Sequence, residues 1–150
     1  GNVRTLTYNG NPTYNYDNLA PYIDLDGTGD WLSRTDEAGL DIIGTEAYVN
    51  SGKNGLTLGG WFRFDNFSAT QSMISKYISS ADIAYWLTSS TTPAIKFSVG
   101  NGSTPYTATS TLTHVIDTWY FIAGRYIQSS SVSVFIIKSL PGYHTFDPFR

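Results

Sequence analysis

The side chains able to do chemistry in this chain are its acids, its aromatics and two histidines, and the acids lie closest together at Asp24, Asp26 and Asp30. Asp24 and Asp26 are two residues apart, which puts both carboxylates on one face of a strand. With Asp30 they flank the turn Gly27-Thr28-Gly29. Calcium takes about 6–8 oxygen ligands, mostly carboxylates and carbonyls, so these three acids are candidate calcium ligands. Their spacing does not follow an EF-hand loop. Asp is also a common turn residue, because its carboxylate accepts hydrogen bonds from nearby backbone amides. The structural turn is the stronger reading, and calcium is the one cofactor that the sequence suggests.

Aromatic residues are abundant: eleven Tyr, eight Phe and four Trp. Aromatic faces stack on sugar rings while Asn, Asp and backbone groups hold the hydroxyls. Tyr14, Tyr16, Trp31, Tyr85, Trp86 and Tyr106 fall in loops or at strand ends and are the candidate ligand contacts. Tyr14-Asn15-Tyr16-Asp17-Asn18 is the most sugar-compatible short stretch. The competing reading is a tyrosine-rich arm that packs over its own domain or against a neighbouring subunit. Trp61, Phe62, Phe64, Trp119, Phe121 and Phe135 fit a buried alternation and are expected in the core.

Nucleophilic catalysis finds little support. Serines are plentiful, but no Gly-x-Ser-x-Gly elbow occurs. His114 stands at a strand end and reads as a surface histidine rather than a base. No glycine-rich loop carries the lysine that a phosphate site would need. Cysteine is absent, which removes disulfides and thiolate metal sites.

Stepping from these groups to the elements that carry them, helical periodicity is nearly missing. Asp36–Ile43 reads as a loop or a single helical turn, weakened by Gly39. Strand signals recur along the chain at about the 8–12-residue spacing of sandwiches and barrels. Leu56–Asp65 is the clearest strand, with Leu56, Leu58, Phe62 and Phe64 on one face and Thr57, Gly59, Trp61, Arg63 and Asp65 on the other. This run and Trp119–Tyr126 are apolar on both faces, so both are expected at the centre of a sheet, covered on each side. The expected fold is an all-β, antiparallel two-sheet β-sandwich, one domain over 1–150, with an arm at 1–21 and a divergent tail at 137–150.

Net charge is −3, and the nine basic residues are scattered. Phosphate neutralisation needs clustered Lys and Arg, so no nucleic-acid partner is expected. No apolar run approaches the roughly 18 residues of a membrane span. Gly1–Gly10 is polar and no leader is expected there. Charged residues make up only 14% of the chain, well under the usual quarter or so. Ser, Thr, Asn, Gly and Tyr replace them, a mixture expected of an extracellular, cell-surface or virion protein.

Five segments in order resemble laminin-G-like jelly-roll domains of the concanavalin A-like lectin and glucanase group. Tyr22–Trp31 looks like their opening hairpin, and Leu56-Thr-Leu-Gly-Gly-Trp-Phe-Arg-Phe64 like their central strand. Ser72-Met-Ile-Ser-Lys-Tyr77, Trp119-Tyr-Phe-Ile-Ala-Gly-Arg-Tyr126 and Ser131-Val-Ser-Val-Phe-Ile136 resemble the strands that follow. The resemblance implies a jelly roll of two packed sheets, and some such domains use calcium. The chain departs from the pattern after Ile136, where further strands would close the sheets. An uncapped edge at Ser131–Lys138 is therefore expected, open to pairing with an assembly neighbour or another copy.

The group's glucanases hydrolyse glycosides with paired carboxylates roughly 5–10 Å apart. They resemble one another in a Glu-x-Asp-x-Glu strand. This chain has only two Glu, Glu37 and Glu46, and neither lies in such a strand. The chain is accordingly expected not to be an enzyme. It is expected to be a binding or adhesion module for a glycan or a protein surface, or alternatively a structural or decoration subunit of a viral or cell-surface assembly.

Overall fold

The computed structural model describes residues 5–17, 20–35, 55–79, 82–100, 105–111, 113–127 and 131–138. The short helical turn considered at Asp36–Ile43 lies outside these residues, as does the tail beyond Lys138. Every regular element among the described residues is a β-strand, and every pairing is antiparallel. No helix among them is long and apolar enough to cross a membrane. The chain divides into two compact units, one made of Gly1–Ala38 with Pro141–Arg150 and the other of Gly39–Leu140.

The first unit is a two-stranded ribbon in two sections. β1 (Thr7–Asn9) pairs with β4 (Trp31–Ser33), and β2 (Thr13–Asp17) pairs with β3 (Ala20–Asp24). The two segments flanking Gly27-Thr28-Gly29, expected to form one hairpin, do not pair with each other. β3 turns back on β2, and β4 turns back on β1. The loop between them bulges out instead, with Gly27 and Gly29 both at positive φ, as a compact turn requires. The ribbon thus extends to Ser33, beyond the arm expected at residues 1–21. Its other bend is at Gly10, whose φ of 76° suits glycine and where a Cβ would overlap the Asp30 carboxylate and the Gly29 carbonyl. None of the described residues of this unit is buried.

The second unit is the sandwich. A three-stranded sheet has the order β11-β10-β5, from β5 (Gly55–Phe62), β10 (Tyr120–Ile127) and β11 (Ser131–Lys138). A four-stranded sheet has the order β6-β7-β8-β9, from β6 (Gln71–Ser79), β7 (Asp82–Ser89), β8 (Ile95–Val99) and β9 (Tyr106–Thr109). Alternation assigns the faces. Leu87, Ile95, Phe97 and Val99 from one sheet meet Tyr120 and Ile122 from the other, and Leu56, Leu58, Val134 and Ile136 pack around them. Each such buried side chain contributes about 1.5–3 kcal/mol by leaving water. β9, a polar strand, lies at one edge of the larger sheet. β11 is also an edge strand, paired among the described residues only with β10. β6, the other edge of the larger sheet, carries three register shifts that interrupt its ladder.

One contact sets how closely the sheets approach. Phe97 is fully buried and seats its ring on the bare backbone of Gly124 in the opposing sheet. A Cβ at Gly124 would fall within the ring's van der Waals surface, with Cδ1 at 2.8 Å. Both partners are mid-strand, so neither can move without disturbing its ladder. Gly124→Ala is therefore expected to destabilise the fold by about 1–3 kcal/mol, the usual cost of overpacking. Adding Phe97→Leu should recover part of that loss. Urea unfolding of the two single variants and the double variant measures the coupling, and strict additivity would show that the two residues do not share this contact.

Candidate functional site

The three-stranded sheet turns its second face away from the core, and the strand register lays out that face in rows. Trp61 on β5 stands opposite Phe121 on β10, which stands opposite Ile137 on β11. The next row is Gly59, Ala123 and Phe135, and the third is Thr57, Arg125 and Ser133. Arg63 and Trp119 extend the face at one end, with the guanidinium carbon 5.6 Å from the indole centroid, a cation–π distance. Trp61 is 49% exposed, Phe135 48% and Ile137 62%, so this is an apolar surface open to solvent. The Trp61 and Phe121 rings meet edge to face, with centroids 5.7 Å apart and planes at 65°.

A Cβ at Gly59 would stand 2.6 Å from the Ile122 carbonyl oxygen and 2.8 Å from the Ala123 methyl, so the close approach of β5 and β10 there excludes any larger residue. Trp61, Phe121 and Phe135 were expected in the core. The pleat sends them outward instead, since their strand neighbours Phe62, Ile122 and Ile136 take the inward positions. The expectation that β5 and β10 are covered on both sides is corrected likewise: among the described residues β10 is central and β5 is an edge, and Trp61 on their outer side stands half exposed. A run apolar on both faces signals burial on both sides only when a second layer covers the outer one.

Three of the six candidate ligand contacts lie on the ribbon and three on the sandwich. Tyr14 and Tyr16 share one face of the ribbon, and Trp31 stands on its other section, all three exposed. Asn15, offered as a sugar-binding amide between the tyrosines, points to the opposite face and donates to Thr13 Oγ1 and Asp24 Oδ2, at 3.3 Å each. Tyr85 is part of the core, so its ring is not presented to a ligand. Trp86, the next residue, necessarily faces the other way, and its indole N–H donates to Ser72 Oγ at 2.8 Å. That outer face of the four-stranded sheet is polar, and Ser98 and Thr107 join hydroxyls across it at 2.9 Å. Tyr106 is exposed at the β9 edge.

The acids of the candidate calcium site serve the turn. Asp30 accepts from the Asn11 amide at 2.7 Å with one oxygen and from the Asp26 amide at 3.3 Å with the other. Asp26 accepts from the Thr28 amide at 2.6 Å. Asp24 accepts from Asn15. No group of three or more His, Asp or Glu side chains among the described residues is placed to hold a metal ion. Asp26 and Asp30 thus cap the bends of the ribbon through backbone amides, while Asp24 is paired with Asn15 of the neighbouring strand.

His114 is corrected as well, from a surface residue to a buried one, 4% exposed. Its Nδ1 lies 3.0 Å from the Pro93 carbonyl, which accepts only if Nδ1 carries the proton. The ring packs edge to face on Tyr120 at 4.9 Å, and Nε2 is buried with no hydrogen-bond partner among the described residues. The tyrosine hydroxyl accepts from the Val115 amide at 3.0 Å. His114 thus pins the loop before β10 and has no exposed lone pair for proton transfer.

No protein-family model, curated protein or solved structure matches this chain.

Two outcomes follow from these placements. Chelator should leave the melting temperature of the protein unchanged, because an ion bound only to the folded state must raise it; a drop with EDTA that calcium reverses would restore the metal site. Trp61→Ser should cost about 0.5–1.5 kcal/mol, the worth of its edge-to-face contact with Phe121, whereas Ile122→Ala should cost about 2–5 kcal/mol. Equal losses in denaturant titrations would place Trp61 in a packed layer.

Proposed function

We propose that this chain is a non-catalytic binding module that engages a protein surface through the outer face of its three-stranded sheet. The observation that carries this reading is the row Trp61, Phe121, Ile137 with Phe135 beside it, solvent-facing on rigid paired strands and bordered by Arg63 and Arg125. Exposed Trp, Phe and Arg on one patch are the residue types that dominate protein–protein hot spots. Contiguous exposed apolar surface on a folded domain marks an interaction site more often than not.

The chemistry of the patch favours a protein over a glycan. Sugar hydroxyls are held by acceptors such as Asp and Asn beside a stacking ring. β5, β10 and β11 contain no Asp, Glu, Asn or Gln, and Asp65 stands beyond the end of β5, two residues past Arg63. Trp61 and Phe121 are set edge to face, which gives no coplanar platform for successive sugar rings. The partner complementary to this face carries apolar and aromatic side chains with carboxylates near them. Nothing in the patch performs proton or group transfer, and His114 is enclosed, which supports a binding role. A surface-displayed module of this kind fits the low-charge, hydroxyl-rich composition of the chain and its resemblance to laminin-G-like domains.

Phage-displayed peptides selected on the protein, with Trp61→Ser/Phe135→Ser as the counter-selection target, test this reading. The expected enriched sequences combine aromatic with acidic residues and lose binding at least tenfold on the double variant. Peptides that bind both proteins equally, or a glycan-array signal lost in Trp61→Ser, would overturn the protein-surface reading in favour of a site elsewhere or a lectin.

A further inference from the structure

We propose that Asn66, in the connection between β5 and β6, is an attachment site for an asparagine-linked glycan. The site depends on the chain being surface-displayed, as the binding reading has it, and not on what the apolar face binds.

Asn66-Phe67-Ser68 has the acceptor pattern Asn-x-Ser, in which any residue but proline can stand in the middle. Three residues match by chance easily, so their surroundings decide. The middle residue, Phe67, packs against the sandwich core and meets the Phe64 ring with centroids 5.2 Å apart. With Phe67 anchored, Asn66 and Ser68 stand exposed on either side of it. Asp65, Ala69 and Thr70 are exposed as well, so the whole stretch is open to a bulky group. Such a group is also solubilising, which suits a chain with only 14% charged residues.

The side chains are already arranged for the transfer. The Ser68 amide and hydroxyl both donate to the Asn66 carboxamide oxygen, at 3.0 Å and 2.7 Å. A backbone N–H can only donate, so it fixes which end of the carboxamide is oxygen. Nδ2 is the end that makes no hydrogen bond among the described residues. Gln71 Nε2 donates to the Asn66 backbone carbonyl at 3.1 Å and steadies the loop from the start of β6.

Attachment joins Nδ2 to the anomeric carbon of an oligosaccharide carried on a lipid pyrophosphate. The bond from that carbon to the pyrophosphate oxygen breaks, and the pyrophosphate leaves with the electron pair. Nδ2 gives one proton to a base of the transferring enzyme, and nothing is oxidised or reduced. An amide nitrogen is a poor nucleophile because its lone pair is delocalised onto oxygen. Donors aimed at Oδ1 stabilise the charge that gathers there as Nδ2 loses its proton, so the Ser68 contacts favour the reactive form.

The chain carries its own comparison. Asn11-Pro12-Thr13 has the same outer residues with proline between them, which the pattern excludes. Asn101-Gly102-Ser103 repeats the pattern and lies outside the described residues.

Secretion of the full chain from eukaryotic cells behind an added leader tests the site, with Asn101→Gln as the background so that Asn66 is the acceptor read. The intact mass should exceed that of the polypeptide by a core oligosaccharide. Peptide N-glycosidase should remove the excess and leave Asp at position 66, with Asn11 unmodified. Asn66→Gln should abolish the excess, Ser68→Ala should lower occupancy at least tenfold, and Ser68→Thr should keep it. Asn66 and Ser68 are exposed, so circular dichroism of these variants should match the parent. Chain recovered from the medium without sugar at Asn66 overturns the proposal, and so does a glycan that persists undiminished in Ser68→Ala. Peptide selection on the apolar face is read separately, so either reading can fail while the other stands.

Discussion

The seating of Phe97 on Gly124 is the constraint from which the rest of the sandwich follows. Two sheets can approach only as closely as their bulkiest facing side chains allow. Here a full aromatic ring is accommodated because the residue across from it has no side chain. With that gap closed, Leu87, Ile95 and Val99 reach Ile122 and Tyr120, and the core becomes continuous. Interiors are packed as tightly as organic crystals, so a single extra carbon at this point is felt throughout the layer. Locking the inner faces together also settles the outer ones. Once Tyr120, Ile122 and Gly124 point inward, Phe121, Ala123 and Arg125 have nowhere to go but outward.

The two outer faces have opposite chemistry. On the four-stranded sheet, hydroxyls satisfy one another and hold Trp86 through Ser72. Thr88 and Ser98 on that face are buried as well, so its hydroxyls rely on such pairing. The three-stranded sheet presents Trp61, Phe135 and Ile137 to solvent. Exposing such a surface costs solubility and favours association, so its retention on rigid strands is better explained by a partner than by folding. The ribbon exposes Tyr8, Tyr14, Tyr16 and Trp31, and none of its described residues is buried.

Much of the fold was legible because strand periodicity is a local property. Leu56–Phe64 shows its inward set, Leu56, Leu58, Phe62 and Phe64, by alternation alone, and those residues do pack against the core. The turn at Gly27 and Gly29 was equally legible, since positive φ is a demand that glycine answers directly. The site was less so. Trp61 and Phe135 were assigned to the interior because hydrophobicity alone does not say which side of a sheet is covered. A signal was available: Trp61 falls on the same face as Thr57 and Arg63, and a face shared with such residues is rarely sealed. Tyr85 and Trp86 were offered together as ligand contacts, although consecutive strand residues cannot face the same way.

By itself, then, the sequence determined the class of structure and the internal alternation of each strand. These depend on neighbours two residues apart, where the pleat imposes the period whatever the rest of the chain does. Tertiary structure alone decided which strands became partners and which apolar face stayed open. It sent β3 back to β2 rather than on to β4, and it drew the Asp30 carboxylate onto the Asn11 amide, nineteen residues away along the chain. It enclosed His114 beneath Tyr120 and left Trp61 in water. Such choices are made by contacts between residues far apart in sequence, and no local pattern of residues encodes them.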